Sequence, residues 1–138
     1  MKSPTIASFL FVACFATATT AWTEETAEGL AFFEKKIRPV LAESCYQCHS
    51  AKAKKLKADL YLDRKAGWVH GGENGTVVVP GKPSESRLLT AIRYKDNDLR
   101  MPPNKKLPKH VLSDFETWIA MGAPDSRDAP MEVAHESS

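Results

Sequence analysis

Cys45-Tyr46-Gln47-Cys48-His49 is the stretch on which the reading of this chain turns. Cys-x-x-Cys-His is the sequence rule for covalent haem attachment. Two thiols at this spacing can form thioethers with both vinyl groups of one haem. A histidine directly after the second cysteine points its imidazole at the iron from the proximal side. The motif is short, and its neighbourhood decides how much weight it bears.

Upstream, the spacing predicts a helix that starts at Thr26 as N-cap, with Glu28 in its first turn. Phe33, Ile37, Val40 and Leu41, with Phe32 beside them, form one apolar face at helical period. Pro39 is expected to bend the last turn. This helix leads straight into Cys45. Further upstream, Lys2, the apolar run Ile6 to Phe15 and the small residues before Ala18 and Ala21 have the layout of a secretory signal peptide. Cleavage is expected after Ala18 or Ala21, and an uncleaved N-terminal anchor is the alternative. Cleavage removes Cys14 and leaves Cys45 and Cys48 as the only cysteines. No membrane span is expected in the mature chain.

Downstream, residues 50–75 read as irregular. Leu60 and Leu62 alternate with polar neighbours as in a short strand, Thr76 to Val79 reads as a second, and the two are expected to pair as a small ribbon. Gly71-Gly72-Glu73-Asn74-Gly75 is a turn cluster. Ser84 is the expected N-cap of a helix reaching Tyr94, with Leu88, Leu89 and Ile92 on its buried face. Residues 95–108 are irregular around Met101-Pro102-Pro103. A last helix is expected over 109–121, with Leu112, Phe115, Trp118 and Ile119 inward and Gly122 as its stop. The chain turns polar from Pro124, and disorder is expected there.

Composition fits a folded domain: 138 residues, 43% hydrophobic and 26% charged. The formal charge of +2, one unit less once Lys2 is removed, argues for no nucleic-acid partner. Three other uses of the cysteines compete with haem. A zinc site needs a fourth ligand from His70, His110, His135 or a carboxylate. A thioredoxin-like pair needs a βαβ context that is absent here. A Cys45–Cys48 disulfide in a haem-free interaction domain would close a very small loop.

An electron-transfer haem also needs a sixth ligand. Met101, on a proline-stiffened loop, is the leading candidate. His70 and the other spare histidines are alternatives, as is an open position. Met121 reads as core packing, and Met131 lies in the tail. Phe33, Ile37, Leu88, Ile92, Phe115 and Ile119 are expected around the macrocycle or in helix–helix core. Trp68, Arg93 and Tyr94 could bond the propionates, although ordinary packing is preferred for each. Lys52, Lys54, Lys55 and Lys57, with Lys105, Lys106 and Lys109, could rim the haem edge and steer an acidic redox partner, or form a solvated face.

Phe33-Glu34 through Ile37-Arg38-Pro39-Val40-Leu41, the Cys45–His49 motif, Leu60 with Leu62-Asp63, Gly71-Gly72, Val79-Pro80-Gly81-Lys82-Pro83-x-x-Ser86, Met101-Pro102-Pro103 and Trp118-Ile119-x-x-Gly122-Ala123 together resemble the planctomycete-type cytochrome c domain. The resemblance covers about residues 30–125. It implies a mainly α, class I-like cytochrome c fold around one covalent haem c, with long loops, His49 proximal and Met101 distal. In that family the domain usually opens a much longer protein. This chain stops soon after it, as a stand-alone carrier or a truncated product, so no catalytic role is carried over.

The expected organisation is a signal peptide over 1–21, a lead-in over 22–29, the cytochrome c domain over 30–125 and a disordered polar tail over 126–138. The expected function is an exported, periplasmic or equivalent, single-electron carrier that is not an enzyme. The alternative is a haem-based sensor or ligand-binding module with a labile distal ligand.

Overall fold

The computed structural model describes residue 4 and residues 26–127. The expected leader over 1–21 (save residue 4) and the tail beyond 127 lie outside the described residues.

The first helical rod is built from three pieces: α1 (Ala27–Phe32), a π turn (Phe33–Ile37) and α2 (Arg38–Ser44). Thr26 starts it as expected, its hydroxyl accepting the Gly29 N–H at 3.0 Å. Pro39 was expected to bend the end of the rod. It sits instead in the first turn of α2, and the rod widens just before it, where the Arg38 N–H reaches back to Phe33 O. A proline in a helix interior lacks its own N–H and crowds the preceding turn; a widened turn absorbs both effects. Phe33, Ile37 and Leu41 are fully buried along one face.

The last helix, α5 (Lys109–Ala120), packs across the π turn and carries Phe115, Trp118 and Ile119 into the core. Gly122, at φ +98°, ends it. The Gly122 N–H bonds Ile119 O and the Ala123 N–H bonds Trp118 O, the glycine-stopped ending that satisfies the last carbonyls. Two short helices, α3 (Lys65–His70) and α4 (Arg87–Ile92), complete the frame, with a 3₁₀ turn over Pro83–Glu85 before α4. Leu88, Leu89 and Ile92 are buried on α4 as their spacing predicts. Ser84 does not cap this helix, because it lies inside the 3₁₀ turn. Ser86 precedes α4 instead. Its buried hydroxyl accepts the Val79 N–H at 2.9 Å and donates to Lys82 O at 3.0 Å.

Trp118 stands at the centre of the core. Phe33 and Trp68 lie 5.8 Å from it and Phe115 6.1 Å, the last two edge-on. Such tilted and edge-to-face pairs match positive ring edges to negative faces. Both buried indoles need an acceptor, and the residues after α5 supply them. Trp118 Nε1 donates to Pro124 O and Trp68 Nε1 to Asp125 Oδ2, each at 2.8 Å. The disorder expected from Pro124 is therefore corrected over its first four residues: Pro124 and Asp125 are buried, and packing continues to Arg127.

The small β-ribbon is also corrected. The described residues contain no strand, only isolated bridges at Gly72–Gly75 and Asp96–Leu99. Leu60 and Leu62 are buried as their alternation implies. Their segment pairs elsewhere, with the Leu62 N–H on His49 O at 2.8 Å, while Val77 O accepts the Leu88 N–H at 2.9 Å. Two such short runs form no independent ladder, and their backbone groups go to nearer partners.

Candidate haem site

The Cys45–His49 motif is the unwinding end of α2. Cys45 is the C-cap, and both its N–H and that of Tyr46 bond Leu41 O. The carbonyl of Cys45 then accepts from Cys48 and His49, at 3.1 and 2.9 Å, so one tight turn carries both cysteines and the histidine. The turn is braced from outside. The Ser50 hydroxyl donates to Tyr46 O at 2.6 Å, and the Lys57 N–H to Cys48 O at 3.0 Å. Asp63 accepts the Ala51 N–H at 2.9 Å. Burial would raise the Asp63 carboxyl, but hydrogen bonds from Arg64 and Ala51 hold it below the usual carboxylate range.

Both thiols are free and half-buried. Burial, helped by the neighbouring Cys48, pushes the Cys45 thiol up to about 12. A redox-active Cys-x-x-Cys nucleophile needs the opposite shift, so this site is unlike a thioredoxin pair. Among the described residues, three His, Cys, Asp or Glu side chains do not gather as a metal cluster.

His49 is buried, and its Nδ1 has no hydrogen-bond partner. Burial lowers its pKa, although backbone groups of Leu60 and Lys57 beside the ring pull the other way. A neutral, buried imidazole with an uncommitted nitrogen suits iron ligation, since a metal-bound ring uses one nitrogen for the metal and rests the other on a backbone or carboxylate acceptor.

The distal candidates separate by position. Met101 is half-buried and packs against the same core as Cys45. Its N–H bonds Ala91 O at 3.1 Å, at the end of α4, and the Tyr94 hydroxyl bonds Pro102 O. His70 and His110 are exposed. Met121, expected in the core, is 40% exposed because it follows the last buried turn of α5. Met131 and His135 lie outside the described residues.

Phe33, Ile37, Leu88, Ile92, Phe115 and Ile119 are enclosed by one another and by the rest of the core. Apolar surface remains open instead on Phe32, Val40, Val77, Leu107, Val111 and Leu112, which border the core together with Cys45 and Met101. Helical period marks such residues as apolar but cannot tell half-buried from fully buried. The three propionate candidates have protein partners. Trp68 bonds Asp125, Arg93 pairs with Glu116 at 2.6 Å, and Tyr94 bonds Pro102. The lysines at 52, 54, 55, 57, 105, 106 and 109 are all exposed.

Two residues escaped the sequence reading. Asp125 is fully buried, and Arg127 pairs with it at 2.6 Å while reaching Tyr46 and Leu62. An Asp-x-Arg in a polar stretch carries no signal of burial.

A helix that unwinds into two half-buried thiols and a buried histidine, with a methionine loop on the same core, is the arrangement that covalent haem attachment requires of a chain. Residues 45–105 match the family model of planctomycete cytochrome C. The matched segment opens on Cys45 and includes Met101, so this part of the chain is similar to the planctomycete-type cytochrome c domain that its motifs resemble. Such a domain binds haem c covalently and exchanges electrons with redox partners. Neither the curated proteins nor the solved structures yielded a match.

Proposed function

We propose that this protein is an exported, monohaem c-type cytochrome that carries single electrons with His49 and Met101 as axial ligands. One observation carries the reading: the turn that ends α2 presents Cys45, Cys48 and His49 together, and the Met101 loop packs on the same core as Cys45. The cysteines would hold the haem through two thioethers, with His49 on the proximal side and Met101 on the distal side. The bound haem supplies an iron that cycles between ferric and ferrous states.

The protein's part is to keep that coordination the same in both states. His49 is held by its turn and by Leu62, and Met101 by bonds from its loop to the end of α4. Methionine as distal ligand would raise the reduction potential relative to a second histidine. The open apolar edges of Val40, Leu107, Val111 and Leu112 would be covered by the macrocycle, adding apolar burial to a small core. The exposed lysines would favour an acidic redox partner, with association that slows as salt is raised. Among the described residues no helix is long and apolar enough to cross a membrane. The leader-like first residues support an extracytoplasmic location.

The test is a reduced pyridine haemochrome spectrum of the full precursor exported from a host that matures c-type haem. A two-thioether spectrum is expected, moving to a single-thioether form in Cys45→Ala. Absence of covalent haem, where a control cytochrome matures normally, would refute the reading. A ferrous form that ignores carbon monoxide separates the carrier from a ligand-binding module.

A further inference from the structure

We propose that Arg127, fixed by Asp125, is a positioning residue for the haem-attachment motif, an inference that rests on Cys45, Cys48 and His49 carrying haem. Asp125 is fully buried, and the Arg127 side chain is only 8% exposed. Arg127 Nε donates to Asp125 Oδ1 at 2.9 Å, and its Nη2 to Oδ2 at 2.6 Å. Trp68 Nε1 and the Arg127 backbone N–H also donate to the carboxylate. The guanidinium also lies 4.8 Å from the centre of the Phe33 ring.

The remaining nitrogen, Nη1, faces the motif. It donates to the Tyr46 hydroxyl and to Leu62 O, each at 2.7 Å. Tyr46 stands between Cys45 and Cys48, and Leu62 in turn donates its N–H to His49 O at 2.8 Å. One planar group thus ties the cysteine turn to the segment that braces the histidine.

A buried ion pair is a poor device for stability alone, because desolvation cancels much of its attraction. Its asset is direction. A guanidinium holds its five donors in a rigid fork, so anchoring one side on Asp125 fixes where the other points. A lysine ammonium is a point charge and cannot bridge both sides in that way. An electron carrier works best when its ligands move little between oxidation states, and the pair braces the motif against such movement.

The test uses the full-length exported holoprotein in five forms: wild type, Arg127→Lys, the charge-neutral double variant Arg127→Met/Asp125→Asn, Tyr46→Phe, and Ser86→Ala. The last removes buried hydrogen bonds that touch no residue of the motif. Haem content is read from the haemochrome, stability from thermal melting, and axial-ligand orientation from the paramagnetically shifted haem methyl resonances of the ferric protein.

Arg127→Lys and the double variant are expected to keep covalent haem and to shift the methyl pattern, with Tyr46→Phe shifting it in the same sense by less. Ser86→Ala is expected to lower the melting temperature and leave the pattern as in wild type. A wild-type pattern in both Arg127→Lys and Tyr46→Phe overturns the proposal, even if the double variant fails to fold. An equal shift in Ser86→Ala overturns it too, since any loosening would then suffice. Wild type without covalent haem removes the underlying reading; wild type with haem and an unmoved pattern removes this inference alone.

Discussion

The Tyr94 hydroxyl donates to the carbonyl oxygen of Pro102, closing the loop that carries Met101 back onto the end of α4. From the other side, the Met101 N–H bonds Ala91 O. Tyr94 sits at φ +58°, a region that costs a side-chain-bearing residue about 1–2 kcal/mol. Its ring is flanked by Arg100 and Lys106, 5.8 and 5.7 Å from the centroid. The loop's contacts outweigh that backbone cost.

Tyr94→Phe keeps the ring and removes the donor. The loop should lose about 1 kcal/mol of hold. Where imidazole competes with Met101 for ferric iron, it should bind about fivefold more tightly to the variant. An equilibrium titration of the holoprotein followed by its absorption spectrum checks this; unchanged affinity would show that the bond does not restrain Met101.

Met101→Ala should open the distal position altogether. The ferrous variant is expected to bind carbon monoxide, and the ferric variant to become high-spin, while wild type does neither. Met101→His should stay low-spin with a lower reduction potential. A variant Met101→Ala that remains low-spin and inert would point to another distal ligand.

Asp125 links stability to pH. Burial acts to raise its carboxyl, but hydrogen bonds from Arg127 and Trp68 outweigh it and hold the folded value below the usual carboxylate range. Its stabilisation is therefore present above the unfolded value near about 4 and is lost as pH falls through the lower folded value. Asp125→Ala should cost about 3–5 kcal/mol near neutral pH, since it leaves Arg127 buried and unpaired. It should also flatten the acid side of the stability curve below about pH 4. Denaturant melts across pH 2–7 measure both.

Gly67 lies in α3, where alanine is normally preferred to glycine by about 1 kcal/mol. Here a Cβ would stand 2.4 Å from the Tyr61 carbonyl oxygen and 2.5 Å from the Tyr61 Cβ. The clash is with backbone, so Gly67→Ala should destabilise despite its better propensity. Tyr61 adjoins Leu62, which braces His49, so the loss should reach the motif. A raised melting temperature would show that this backbone yields freely.

What could be read from the sequence was local chemistry. Thr26 as a cap, the buried faces of Phe33, Ile37 and Leu41 and of Phe115, Trp118 and Ile119, and the stop at Gly122 depend on neighbours within a turn or two. The Cys45–His49 motif is local in the same sense: its five residues fix both spacing and ligand type. The short segments were less legible, because a run such as Thr76 to Val79 takes whichever backbone partner the fold brings near. Here that partner is the start of α4.

Sequence alone, then, determined the rod before Cys45, the buried faces of α4 and α5 and the residues able to hold a haem, whereas α3 (Lys65–His70) formed in a stretch that read as irregular because six residues carry too little period to show a helix. Tertiary structure alone decided which methionine faces the core, which lies on the surface, and that Asp125 and Arg127 belong to the packed unit. Arg127 meets Tyr46 across 81 residues of chain. No periodicity or propensity encodes such a meeting, because it exists only after α5 has docked on the π turn and brought the residues beyond Gly122 back to the motif.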